Sequence, residues 1–302
     1  MEEETVEPSS LELDFSGRKG VSRRDFLKYC GVVTAALGLD ASFIPKVAHA
    51  LTAPRPPIVW LHFASCTGCT ESFLRSSNPL VSDIILGTLS VEYHECLMAA
   101  SGDAATSRLK NALTQYAGQF ICICEGAIPT AENGVYGMIG NKTMLQIAQE
   151  VCSKAKAVIS LGTCASFGGM PGAAGNETGA TSVHGALGGF PTINIAGCPP
   201  NPVTLVATIT NYLLSGTFPE LDSLGRPVFA YGNTVHSACS RVGTANCLKG
   251  YGCRGTLTYN NCPSVKFNEA ASWPVQADAP CYGCSMPDFF DKGNFYDYSG
   301  GS

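Results

Sequence analysis

Charge is scarce in this chain. Only 14% of its 302 residues are Asp, Glu, Lys or Arg, and the formal net charge is −5. No basic stripe interleaved with aromatics is present, which excludes the electrostatic footprint of a nucleic-acid binder. No apolar run reaches the length a bilayer span requires; the stretch Tyr29–Leu39 is too short, and Asp40 ends it. Internal repeats and low-complexity tracts are absent, so neither a solenoid nor a disordered tail is indicated. The C-terminal stretch DFFDKGNFYDYSGGS is polar, with no hydrophobic tail to serve as a membrane anchor. Hydrophobic residues nevertheless make up 45% of the chain, enough for a sizeable core. A weakly charged surface of this kind implies that a partner chain covers part of it.

What is abundant is cysteine, at 15 residues, together with 33 Gly and 18 Pro. A chain this long is not a small disulfide scaffold, so the thiols point to cofactor-binding loops. The N-terminus reads as a targeting leader. Ser22–Lys28, SRRDFLK, matches the twin-arginine pattern, an apolar run follows, and Ala48–His49–Ala50 presents small residues where a signal peptidase reads. Cleavage is expected after Ala50. The twin-arginine route carries folded proteins, which favours a metal cluster inserted before export.

Residues 51–218 alternate short apolar runs with helical segments. Strands are predicted at Pro57–Phe63, Leu89–Leu97, Gln119–Gly126, Ala155–Gly162 and Phe190–Gly197, and helices near Thr70–Leu86, Met144–Ala155 and Val203–Leu214. That alternation implies an α/β domain with a flavodoxin-like, doubly wound parallel sheet. Residues 219–302 are rich in Gly, Asn, Pro and Cys and form a smaller irregular domain. Arg226–Gly232, RPVFAYG, reads as a strand there, and the remainder needs staples that its cysteines can supply.

Three cysteine sites in the first domain follow predicted strands: Cys66 and Cys69 in SCTGCTE, Cys164 in LGTCASFGG and Cys198 in AGCPPNP. Ligands of an open parallel sheet bind at that edge. One close pair plus two distant singles suits an iron–sulfur cluster better than structural zinc, which prefers two close pairs. A redox dithiol would leave Cys164 and Cys198 unexplained. The second domain carries His236, Cys239, Cys247 and Cys253, then Cys262, Cys281 and Cys284. The last three form an incomplete set, with Pro274 standing where a fourth ligand would fall. Three thiolates suit a [3Fe–4S] centre. Cys122 and Cys124 share one strand face and read as core. Cys96 and Cys152 read as structural thiols, and Cys30 leaves with the leader.

The ordered motifs SRRDFLK, CTGCTES, EGAIPTAENGVYG, GTCASFGG, NIAGCPPNP, ELDSLGRP, VHSAC, CLKGYGC, TYNNCPSVKFN and WPVQADAPCYGC make the chain similar to the small subunit of periplasmic [NiFe] hydrogenases. The resemblance covers nearly the whole sequence. It implies a heterodimer whose large subunit holds the Ni–Fe centre and splits H₂, while this chain carries the electrons away. It places a proximal [4Fe–4S] on Cys66, Cys69, Cys164 and Cys198. It places a medial [3Fe–4S] on Cys262, Cys281 and Cys284, and a distal [4Fe–4S] on His236, Cys239, Cys247 and Cys253. It implies a cytochrome c-type acceptor near the distal imidazole and a periplasmic complex without a membrane anchor. Gly68 and Gly172 stand where oxygen-tolerant members have extra cysteines, so the oxygen-sensitive type is implied. Pro274 argues against the selenium-containing branch.

Two departures stand out. Ser65 replaces the family's usual Glu before the first cluster cysteine, although Glu71 matches its second Glu. Only seven residues separate Cys239 from Cys247, fewer than in the family pattern. A stand-alone iron–sulfur carrier is the competing reading, and it predicts a charged, self-sufficient surface. The quinone-oxidoreductase branch shares the sheet domain but would lack both the leader and the second region.

Overall fold

The computed structural model describes residues 23–52, 56–76, 89–267 and 272–292. Two helices open the described chain, α1 (Arg23–Ala36) and α2 (Ile44–Thr52). Strand β1 (Pro57–His62) leads through the Cys66 loop into α3 (Gly68–Leu74). Then follow β2 (Ser90–His94), α4 (Gly102–Gln115), β3 (Ile121–Glu125), the short hairpin β4 (Met138–Ile139) and β5 (Lys142–Thr143), and α5 (Met144–Cys152). Strand β6 (Ala157–Leu161), α6 (Gly162–Phe167), α7 (Val183–Ala186), β7 (Ile193–Ile195) and α8 (Pro202–Ser215) complete the α/β unit.

All five predicted strands of this unit form, and they pair in the order β2-β1-β3-β6-β7, every pair parallel. This is the 2-1-3-4-5 order of a flavodoxin-like sheet. The period of two sorts each strand between two cores. Ile58, Trp60, Ile121 and Ile123 face one side, with α8 and the N-terminal helices. Val59, Leu61, Cys122 and Cys124 face the other, with α4 and α5. The Cys122–Cys124 and Cys124–Cys152 sulfurs lie 3.7 and 3.8 Å apart within that second core, and all three thiols are at most 1% exposed. They pack as small hydrophobes. Cys96, in contrast, is exposed.

Two local readings change. The predicted strand Arg226–Gly232 contains instead the one-turn helix α9 (Val228–Tyr231), opened by Pro227 and closed at Gly232. Pro227 has no N–H to donate to a ladder and its fixed φ suits a helix start. Helix α4, GDAATSRLKNALTQ, is an additional element, amphipathic and burying Ala112 and Leu113. The predicted helix near Thr70–Leu86 is observed over α3; residues 77–86 lie outside the described residues, as do 1–22 and 293–302.

The second domain has little regular structure. Buried Arg226 pairs with Asp222 at 2.8 Å and donates to the Ser285 carbonyl at 3.1 Å, tying its start to its end. Tyr231 donates to the Ala196 carbonyl at 2.7 Å, tying it to the sheet domain. Val235, Trp273 and Val275 form a small core ringed by Cys239, Cys253, Cys262 and Cys281.

Ile123, fully buried at the centre of the sheet, tests this packing. Ile123→Ala is expected to cost about 2–5 kcal/mol, read as a lowered denaturant midpoint. Val135→Ala, at a 55% exposed side chain, is expected to stay within about 0.5 kcal/mol of the wild type.

Candidate functional site

Each cysteine of the first set sits just past a strand, and the parallel sheet brings all of them to its carboxyl edge. Cys66 and Cys69 follow β1, Cys164 lies in α6 directly after β6, and Cys198 follows β7. The thiols lie within electrostatic reach of one another. Burial raises Cys69 well above the ordinary thiol range, and Glu125, Cys164, Cys198 and Cys66 push it further. Enclosure by the surrounding loops moves Cys164 and Cys198 to about 11, although Cys198 keeps a solvent-facing edge.

The backbone leaves room at this edge where side chains would intrude. A Cβ at Gly162 (φ 89°) would overlap the Cys69 sulfur, and one at Gly169 would lie 2.7 Å from the Cys164 sulfur. Both positions require glycine twice over, by positive φ and by space.

A buried carboxylate holds the Cys66–Cys69 loop. Glu125, 1% exposed at the end of β3, accepts from Trp60 Nε1 at 3.3 Å, Thr70 N at 3.1 Å, Thr70 Oγ1 at 2.6 Å and Ser65 Oγ at 3.0 Å. His62 Nε2 approaches it at 3.7 Å. Ser65 Oγ also accepts from Thr67 N at 2.9 Å, which supports the left-handed turn at Thr67. Ser65 is thus built into the loop. Glu71 faces solvent and pairs with Arg75, 3.5 Å away. Glu125 opens the motif EGAIPTAENGVYG without a role assigned to it from sequence; its place as the anchor of this loop shows only in the structure. Its one sequence signal is an acidic residue ending a strand otherwise made of buried apolar residues, at the ligand edge.

The second domain brings the other sets alongside. A cavity of about 550 Å³ is lined by Cys198, Cys262, Cys281, Cys284, Trp273 and Pro274 among others. Burial, with Cys284 and Cys281 adding, drives the Cys262 thiol strongly upward, and burial moves Cys284 to about 11. Pro274 therefore lines the same space as the three thiols and offers no donor. Two contacts link successive sets. Thr163 Oγ1 donates to the Cys284 carbonyl while accepting from Gly197 N, next to Cys198. Cys281 N donates to Cys253 Sγ at 3.3 Å. His236 N donates to the Gly255 carbonyl at 2.9 Å, Cys239 N to the His236 carbonyl at 3.1 Å, and Cys253 N to the Leu248 carbonyl at 3.2 Å. Local turns thereby hold the backbones of His236, Cys239 and Cys253 close to one another, with Leu248, the neighbour of Cys247, beside Cys253.

Among the described residues, Cys122, Cys124 and Cys152 are the one group of three donors with ligand atoms all within 4.8 Å. The three sets above are spaced more widely. All-thiolate and thiolate–imidazole donor sets are of the kind an iron–sulfur cluster takes.

Comparison with known proteins accords with this geometry. A family model described as NADH ubiquinone oxidoreductase, 20 Kd subunit, matches residues 66–212. A second, describing the C-terminal part of the NiFe/NiFeSe hydrogenase small subunit, matches residues 226–297. The chain is 48% identical over 301 residues to periplasmic [NiFe] hydrogenase small subunit 1 of Nitratidesulfovibrio vulgaris, covering 93% of this chain and 94% of that one. It is 40% identical to the uptake hydrogenase small subunit of Azotobacter vinelandii, covering 94% and 84%. Its fold matches the Ni-Fe-Se hydrogenase structure from Desulfomicrobium baculatum with a TM-score of 0.76 at 31% identity, over 80% of this chain and 98% of that chain. The chain belongs to the [NiFe] hydrogenase small-subunit family.

Glu125 tests how the loop is held. Glu125→Ala strands buried donors at Trp60 and Thr70 and is expected to cost at least about 2 kcal/mol. Glu125→Gln keeps an acceptor and is expected to cost less. Equal denaturant midpoints for Glu125→Ala and the wild type would contradict this role.

Proposed function

We propose that this chain is the electron-relay subunit of a periplasmic hydrogenase, pairing with a large subunit that holds the Ni–Fe centre. The observation that carries the reading is the ordered contact of three thiol sets. The sheet-edge set meets the Cys262–Cys281–Cys284 set through Thr163 and Cys284, and that set meets the His236 set through the Cys281–Cys253 contact. In this reading Cys66, Cys69, Cys164 and Cys198 hold a [4Fe–4S] cluster. Cys262, Cys281 and Cys284 hold a [3Fe–4S], and His236, Cys239, Cys247 and Cys253 hold a second [4Fe–4S]. When bound, such clusters accept and pass on single electrons without large rearrangement of their ligands.

The chain's own residues set the rest. Gly162 and Gly169 leave the space for the first cluster, and Glu125 fixes its loop. Trp273 and Val235 bring apolar surface to the wall of the medial cavity. His236 is half-buried beside exposed Ser237 and Ala238, which suits hand-off to a cytochrome c-type acceptor. Residues 1–50 act as a twin-arginine leader, residues 51–218 as the sheet domain and 219–302 as the cluster domain. No helix among the described residues is long and apolar enough to cross a membrane.

The test is iron quantification and EPR on the chain purified with its large subunit. About eleven irons per chain and an oxidised [3Fe–4S] signal are expected. About seven irons with that same signal would mean that the short Cys239–Cys247 segment has lost the distal cluster. Zinc in place of iron would overturn the reading. A stable monomer with full iron that ignores the large subunit would favour a stand-alone carrier. Gly162→Ala is expected to lose about four irons while retaining the [3Fe–4S] signal.

A further inference from the structure

Arg254 stands between two of the thiol sets. It follows Cys253 directly and opens a short helical turn, Arg254–Thr256. Its N–H donates to the Cys281 carbonyl at 2.7 Å, and its own carbonyl accepts from Thr258 Oγ1 at 2.8 Å. The side chain lies against the loop that joins Cys281 to Cys284. A Cβ at Gly283 would sit 3.3 Å from Arg254 Nη1 and 3.4 Å from its Cζ. Glycine at that position, with a φ of +82°, therefore serves both the turn and the close approach of the guanidinium.

The guanidinium is incompletely paired. Nη2 approaches Asp288 Oδ1 at 3.5 Å, the outer limit of a hydrogen bond, and the Asp288 side chain is 34% exposed. Nη1 is buried and finds no acceptor among the described residues, an arrangement that is costly for a charged donor. Arg226, at the start of the same domain, is held differently. Its Nε and Nη2 both meet Asp222 Oδ2 at 2.8 Å, and its Nη1 donates to the Ser285 carbonyl. Arg226 is thus a neutralised structural pin. Arg254 instead presents charge and an unused N–H to the loop carrying Cys281 and Cys284.

A thiolate-held centre that takes up one electron gains one negative charge while its ligands stay in place. A fixed positive charge nearby favours that reduced form, more strongly where water is excluded. An N–H donated to a cluster sulfur acts in the same direction.

We propose that Arg254 tunes the reduction potential of the centre held by Cys262, Cys281 and Cys284, raising it through its charge and through the unpaired Nη1. The inference rests on the proposed [3Fe–4S] assignment, whose sulfurs supply the acceptor that Nη1 lacks. One electron moves from the sheet-edge set to this centre, and no bond is made or broken. Arg254 makes that step more favourable.

The test is a redox titration of the oxidised [3Fe–4S] EPR signal in the complex with the large subunit. Arg254→Gln is expected to weaken reduction about tenfold, a midpoint lowered by about 59 mV for one electron. Arg254→Lys, which keeps the charge but not the planar fork, is expected to recover most of that shift. Asp288→Asn, which removes the counter-charge beside Nη2, is expected to move the midpoint upward. A purely structural Arg254 would not produce opposite signs at the two positions. An unmoved midpoint in Arg254→Gln with the signal intact overturns the inference and leaves the proposed function standing. Where Arg254→Gln fails to load the centre, Asp288→Asn decides: a raised midpoint supports the inference and an unmoved one overturns it. A wild-type complex with no [3Fe–4S] signal overturns the proposed function and the inference with it.

Discussion

The carboxyl edge of the parallel sheet is the constraint on which the rest depends. A parallel sheet sends every strand out at one edge, so the loops after β1, β6 and β7 meet there although they lie far apart in sequence. Cys66, Cys69, Cys164 and Cys198 converge for that topological reason. Glu125, leaving the sheet at the same edge, pins the loop that carries the first pair. A buried carboxylate with four donors is worth retaining only where a loop conformation has to be fixed, because desolvating it is otherwise costly.

The irregular domain solves a different problem. It has too little regular structure to be held by aliphatic packing alone. Arg226 ties its beginning to Ser285, Tyr231 ties it to Ala196, and its small core around Trp273 is ringed by thiols. In the proposed reading, loading of the thiol sets and order of this domain are coupled, as in other metal-stapled folds.

Much of this architecture is legible in residue patterns. The five strands of the sheet stand out as short apolar runs, and the period of two places Cys122 and Cys124 in the core. The strand reading of Arg226–Gly232 fails because apolar content there outweighs Pro227, whose missing N–H favours a helix start. Helix α4 is hard to see in the sequence because it buries only a narrow stripe and is otherwise polar. The role of Glu125 depends on Trp60, Ser65 and Thr70 arriving from distant positions. No local pattern encodes that. The departure at Ser65 acquires a physical role only once its hydroxyl is seen between Glu125 and the Thr67 amide.

The most direct test of the account is an iron-edge anomalous scattering map of crystals of the complex with the large subunit. The account predicts three separate iron peaks in this chain. The first is enclosed by Cys66, Cys69, Cys164 and Cys198, the second by Cys262, Cys281 and Cys284, and the third lies against His236. Zinc-edge density within those thiols, or no metal at the sheet edge, would contradict it.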